Sequence, residues 1–242
     1  MLGDAQGSCA SFPLTIQRED AMRYALRNGL HHADLGGHII FLDMQDGRYF
    51  SIPNSWNDCL RSAIGNAALD LDKAVLPRLL EARLLVPSDP AGHEAVPALP
   101  VLPEKSLLDE ALAEASRIAG WRAALAQWLT RRALSRNGLS AVTTIMGTLG
   151  RRPESQPEQA LKVATRWATA FLRSGTLVTG ADNCLIRSTA LAIMLRRRNV
   201  PAQLVLGVTA SPFSAHAWVQ MRDLLLNDRI EHVRSFTPIW AL

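Results

Sequence analysis

The chain has 242 residues, 48% of them apolar and 20% charged, enough to fill a core and too few charges for a disordered chain. Lys and Arg number 26 against 22 Asp and Glu, a net charge of +4, and no basic run marks a nucleic-acid surface. Three scattered cysteines without a CxxC pair argue against a zinc knuckle, a redox motif or a secreted disulfide scaffold. The first residues lack a basic head followed by an apolar run, and the most apolar long stretch, Leu107 to Leu129, is interrupted by charges. A reducing cytoplasm is the expected location, with neither membrane nor nucleic acid as partner.

Residues 1–15 show no periodicity, and Gln17 to Asn28 has helical propensity. Three short apolar segments follow, His31–Asp34, His38–Asp43 and Arg48–Ile52, separated by Gly36-Gly37 and by Gln45-Asp46-Gly47. Two glycine turns, with the β-branched, apolar His38–Asp43 between them, predict a three-stranded antiparallel meander. Asn54 or Ser55 can cap a helix with Trp56, Cys59, Leu60 and Ala63 on one stripe, where Cys59 reads as a small core residue. Asp72 can cap another through Leu84. Five prolines between Pro87 and Pro103 then permit neither helix nor central strand. The expected division is residues 1–88, a linker over 89–105, and a second domain over 106–242.

Residues 106–176 read as helices, with Trp121, Leu125, Trp128 and Leu129 on one stripe and Val163, Trp167, Ala170 and Phe171 on another. Arginines 131, 132, 136, 151 and 152 read as solvated helix ends. The texture then changes to a helix over Asn183–Arg198 followed by strands over Gln203–Val208, Ala215–Met221 and Leu224–Asp228. A helix leading into an antiparallel sheet is an α+β layout.

That last region holds the candidate chemistry. Cys184 falls at the start of its helix, where the dipole favours a thiolate and unpaired backbone N–H groups can receive an oxyanion. His216 alternates with Trp218 on one face of its strand and can serve as the base. Asp228 can orient the imidazole, with Asp223 and Glu231 as rivals for that place. If the hairpin loop has three residues, Met221 to Asp223, His216 faces Asp228. If it has two, Arg222 and Asp223, Asp228 pairs with Ala217 and points away. A triad thus predicts the three-residue loop, with a bulge. Taken singly, each residue has an ordinary structural explanation; their order along the chain carries the catalytic reading.

The order Cys, helix, strand, His-x-Trp, strand, Asp resembles the transglutaminase-like cysteine protease superfamily. The stretch DNCLIRSTALAIMLRRRNVPAQLVLGVTASPFSAHAWVQ followed by LLLND is similar to the lasso-peptide leader peptidases, the B proteins of lasso-peptide biosynthesis. The resemblance covers about fifty residues and implies Cys184 as nucleophile, His216 as general base and Asp228 as its orienting acceptor. It departs where the family often has Glu and a glycine turn and this chain has Gln220, Met221, Arg222 and Asp223. Over about sixty residues, HIIFLDMQDGRYFSIP and the helices after it resemble the PqqD-like recognition element of such pathways, a small winged-helix-type domain.

The fold expected is therefore α+β, a PqqD-like meander with helices followed by a transglutaminase-like or papain-like domain. The resemblance implies two partners, the leader of a ribosomal precursor peptide and an ATP-dependent, asparagine-synthetase-like lasso cyclase. It also implies that the module binds the leader. An exposed edge strand offers an independent physical mode, in which an extended peptide adds to Arg48, Tyr49, Phe50, Ser51 and Ile52 beside Lys73 and Arg78. No phosphate-binding glycine loop or metal motif is present in the sequence, and no cofactor is expected. Two other functions share these features: a non-catalytic scaffold with a relict triad, and acyl transfer to an amine.

Overall fold

The computed structural model describes residues 23–65, 71–88, 99–109, 116–149, 156–174 and 183–242. The N-terminal part contains β1 (Arg23–Leu26), β2 (Leu30–Asp34), β3 (Ile39–Asp43), β4 (Arg48–Ser51), α1 (Asn57–Ile64), α2 (Leu76–Glu81) and β5 (Leu85–Ser88). The meander has the order β2-β3-β4, with Leu42 opposite both His31 and Tyr49. Gly36 and Gly47 take φ of 78° and 65° at its two turns, a conformation glycine adopts without steric cost. Asp43 closes the second turn by accepting from the N–H groups of Gln45 and Asp46 while its buried carboxylate pairs with Arg27.

Three expectations need correction here. Arg23–Leu26 is a strand, paired antiparallel with β5, instead of part of a helix; residues 17–22 lie outside the described residues. The helix expected from Asp72 to Leu84 shortens to α2, because Arg83 turns to φ 53° and Leu84 leads into β5. Neither Asn54 nor Ser55 caps a helix: a 3-10 turn covers Asn54–Trp56, and α1 begins at Asn57 without a side-chain cap.

β3 is buried along its whole length. Apolar side chains at successive positions of one strand need cover on both faces. Ile39 and Phe41 pack with Leu60, Leu79 and Leu85 of the N-terminal helices and strand, together with Cys59. Ile40 and Leu42 face the other way and join a core built mainly from C-terminal residues, including Leu206, Val219 and Trp240. Each fully buried side chain of this kind contributes about 1.5–3 kcal/mol.

The second part contains β6 (Lys105–Ser106), α3 (Arg117–Asn137), α4 (Ser140–Thr148), α5 (Pro157–Ser174), α6 (Asn183–Arg196), β7 (Gln203–Ala210), β8 (Phe213–Met221), β9 (Leu224–Leu225), α7 (Ile230–Val233) and β10 (Thr237–Ala241). Its sheet has the order β10-β7-β8-β9-β6, antiparallel except for β6 beside β9. Helix α6 packs on β8, with α3 and α5 around it. Trp167, Ala170 and Phe171 of the predicted α5 stripe are buried. Trp121, Leu125, Trp128 and Leu129 are exposed, because α3 buries Ala119, Ala123, Gln127 and Thr130 instead. Of the arginines read as helix ends, 131, 132 and 136 are exposed, whereas 151 and 152 lie outside the described residues. Among the described residues, no helix is long and apolar enough to cross a membrane.

Candidate active site

Cys184 is the second residue of α6, and His216 lies mid-strand in β8. Alternation along β8 sends Ala217 and Val219 into the helix-covered core and Trp218 to the other face, among Val205, Leu225 and Phe236. His216 follows Trp218, its ring 6.2 Å away and nearly parallel. Directly opposite His216 on β7 is Gly207. A Cβ there would sit 2.7 Å from the Trp218 ring and 3.0 Å from Phe236 Cβ, so the glycine makes room for the indole. Trp218 Nε1 donates to Gln220 Oε1 at 2.8 Å, and the Gln220 amide donates on to backbone carbonyls of Val101 and Arg222.

The hairpin after β8 has two loop residues, not three: Met221 pairs with Leu224, and Arg222 adopts φ 57° at the turn. Strand pairing ends almost at once, and the expected strand over Leu224–Asp228 is only Leu224–Leu225. Asn227 takes over from the backbone, its side-chain oxygen accepting from Val219 N–H at 2.8 Å. Asp228 is therefore released from strand register, and its Oδ2 lies 2.5 Å from His216 Nε2. The expected bulged loop is replaced by an early exit from the sheet. The rivals lie elsewhere: Asp223 is exposed beside Lys105 at 3.6 Å, and Glu231 is exposed on α7.

Cys184 hydrogen-bonds to His216. With Nε2 facing Asp228, Nδ1 is the ring nitrogen left for the sulfur. Burial pushes the Cys184 thiol up. The hydrogen bond and charge of His216, helped by backbone N–H groups of Ala217 and Leu185, outweigh that and bring it below its ordinary value. Burial pulls His216 down, but its hydrogen bonds to Asp228 and Cys184 prevail and raise it to about 9. Burial likewise pushes Asp228 up, yet donation from His216 and from Arg229 N–H holds its carboxyl below the usual range. Both shifts favour a thiolate–imidazolium pair resting on a carboxylate. Such a pair supplies a nucleophile and a poised proton together.

Three residues of this site escaped the sequence reading. His232, on α7, places Nδ1 3.2 Å from both Asp228 oxygens and its ring 4.4 Å from that of His216. Only its position four residues after Asp228 could have suggested it. Ser188 and Asn227 are buried. Ser188 Oγ donates to Ala217 O, and Asn227 Nδ2 donates to Ser188 Oγ, both at 2.8 Å. That network ties together the helix of Cys184, the strand of His216 and the turn of Asp228.

The peptide-binding candidates are spread out. β4 is the outer strand of the meander. Phe50 stacks on Phe41 at 5.1 Å and Ile52 is buried, while Arg48 and Ser51 are exposed. Tyr49 points to the C-terminal part, its ring 5.7 Å from that of Phe213 on β8. Lys73 and Arg78 are exposed on the segment that packs against α1 and β5.

Residues 126–241, a little under half of the chain, match the family model described as the transglutaminase-like superfamily. Over 47 residues the chain is 44% identical to the microcin J25-processing protein McjB of Escherichia coli. That match spans 19% of this chain and 23% of the relative, so the chain aligns with under a quarter of the relative's length. Both findings bear out the resemblance read in the C-terminal sequence, whereas the family match begins at residue 126 and does not bear on the meander. No solved structure matches the chain.

Proposed function

We propose that the chain is the leader peptidase of a lasso-peptide pathway, hydrolysing the leader–core bond of a ribosomal precursor with Cys184, His216 and Asp228. The observation that carries this reading is the continuous hydrogen-bonded run from sulfur to imidazole to carboxylate. The superfamily match supports the chemistry, and the partial likeness to a microcin-processing protein supports the pathway.

The Cys184 thiolate attacks the scissile carbonyl carbon. The C–N bond stays intact while the carbonyl oxygen takes up negative charge, which the Leu185 N–H at the helix start can receive. Collapse breaks the C–N bond, and the imidazolium of His216 gives its proton to the departing amine of the core peptide. The leader remains as a thioester. Neutral His216 then takes a proton from water, whose oxygen attacks the thioester and releases the leader acid and the thiolate. Asp228 keeps its negative charge throughout and holds the ring in place.

The outer edge of β4 suits an extended leader, with Tyr49 directed toward the catalytic part. In this reading the meander is a PqqD-like recognition element, and an ATP-dependent cyclase consumes the freed core. The test is mass spectrometry of a precursor peptide incubated with the chain and with Cys184→Ala. The native chain should yield leader and core, and the variant should bind the leader with unchanged affinity and cleave nothing. Cleavage by the variant would refute the peptidase. Failure of both proteins to cleave a peptide they bind would favour the scaffold, and amide exchange in place of hydrolysis would favour acyl transfer.

A further inference from the structure

Helix α3 is built the wrong way round for a helix whose only task is to fill a core. It seats itself on α5 and α6 through its small and polar side, with Ala119 and Ala123 buried. Its large apolar side chains point out: Ile118 is 68% exposed, Trp121 76%, Leu125 56% and Trp128 57%. With Leu129, 52% exposed, they follow spacings of three and four residues, the repeat that presents one apolar seam along a helix. A contiguous apolar patch of this kind is rare on a monomer without a partner.

The charges beside the seam have one sign. α3 carries Arg117, Arg122, Arg131, Arg132 and Arg136 and no acidic residue. The Arg132 guanidinium lies 5.9 Å from the centre of the Trp128 ring, so cation and apolar surface form one patch. Two copies of α3 packed together would set arginine against arginine. Arg132 lies over Trp128, within the apolar stripe, where a carboxylate of a partner helix can meet it and the acyl chains of a bilayer cannot.

We propose that the outer face of α3 docks an acidic amphipathic helix of a partner protein. Trp121, Leu125 and Trp128 fill its grooves, and Arg122, Arg131, Arg132 and Arg136 pair with its carboxylates. The inference stands apart from the peptidase reading, since α3 contributes no residue to the site around Cys184.

The test uses the full chain and two fluorescein-labelled synthetic helices, both with Leu at the seam positions, one flanked by Glu and one by Lys. In anisotropy titrations the Glu helix should bind about tenfold more tightly than the Lys helix. Its affinity should fall about fivefold between 50 and 300 mM salt. Trp121→Glu should weaken it about tenfold with the melting curve unchanged. Arg131→Glu combined with Arg132→Glu, which keeps the aromatic seam, should reverse the preference. In the free chain, acrylamide should quench Trp121 and Trp128, and the Glu helix should shield them.

Equal binding of the two helices, or indifference to Trp121→Glu and to the charge reversal, would overturn the proposal. So would preferential, Trp121-dependent binding to phosphatidylglycerol vesicles, or a dimer seen by light scattering that Trp121→Glu dissolves. Shielding of both tryptophans in the free chain would mean that the chain's own segments occupy the face, and would equally refute it.

Discussion

Replacing Asp228 by Asn keeps the shape of the side chain and removes its charge. His216 stands at about 9 against an ordinary 6.5, a lift of about 2.5, or about 3.4 kcal/mol at 1.36 kcal/mol per decade. Asp228 supplies most of that lift, through its hydrogen bond and its charge, and burial works against it. Without the carboxylate the ring should fall to 6.5 or lower. At pH 7.5 the imidazolium share then drops from about 97% to under about 10%, and the thiolate loses its counter-charge with it. Peptide cleavage should fall by about 10²–10⁴. The direct assay is the rate of iodoacetamide alkylation of Cys184 against pH, followed by peptide mass spectrometry so that Cys9 and Cys59 do not contribute. In the native chain the thiolate should persist below the ordinary cysteine range, because Cys184 is lowered. Cleavage should fade as pH rises through about 9, where His216 gives up its proton. In the variant, alkylation should follow an ordinary or higher thiol. Superimposable alkylation profiles would refute the ion pair and with it the role assigned to Asp228.

Other substitutions test the supports of the site. His232→Ala removes the contact at 3.2 Å to Asp228 and the ring beside His216; kcat should fall about tenfold with KM unchanged, and His232→Gln should recover much of it. Gly207→Ala drives a methyl to 2.7 Å from the Trp218 ring, which should cost about 1–3 kcal/mol in a denaturant melt and lower kcat by misplacing His216. Asn227→Ala leaves the buried Val219 N–H without its acceptor and Ser188 without its donor, a loss of about 2–4 kcal/mol measurable as an earlier urea midpoint.

The meander was legible because its signals are local: two glycine turns and three short segments lie within about twenty residues. β1 was not, since Arg23–Leu26 is a strand only by virtue of β5, some sixty residues later. For α3, periodicity correctly gave a helix and a stripe, but it cannot say which stripe faces inward. Alanines packed close against two helices won over the larger side chains. The register after His216 failed for a related reason. The strand bounds themselves left Arg222 and Asp223 as a two-residue loop, but Arg222 adopts a left-handed turn that sequence rules assign to glycine or asparagine, so the triad argument favoured the longer one. Parity then argued against Asp228, and only Asn227, a side chain standing in for a strand partner, brings the carboxylate back to the histidine.

Tyr49 bears on how binding and cleavage would be joined. It belongs to the edge strand where a leader can add, yet its ring meets Phe213 of the strand that carries His216. Half-buried and close enough to Cys184 to feel that charge, its hydroxyl is pushed up to about 12 and stays neutral throughout the working range. A phenol held neutral cannot serve as a base, so in the proposed reading the ring acts by its shape. A leader strand laid on β4 would run past this ring toward the sulfur, so Tyr49→Ala should lower kcat/KM for the precursor by about 10- to 100-fold. Iodoacetamide, which needs no alignment, should alkylate Cys184 at nearly the native rate. Exposed Arg48 offers the contrast: Arg48→Ala should weaken leader binding alone, with kcat intact. Parallel loss of alkylation and cleavage in Tyr49→Ala would show instead that the ring props the catalytic part, and the leader would need another route.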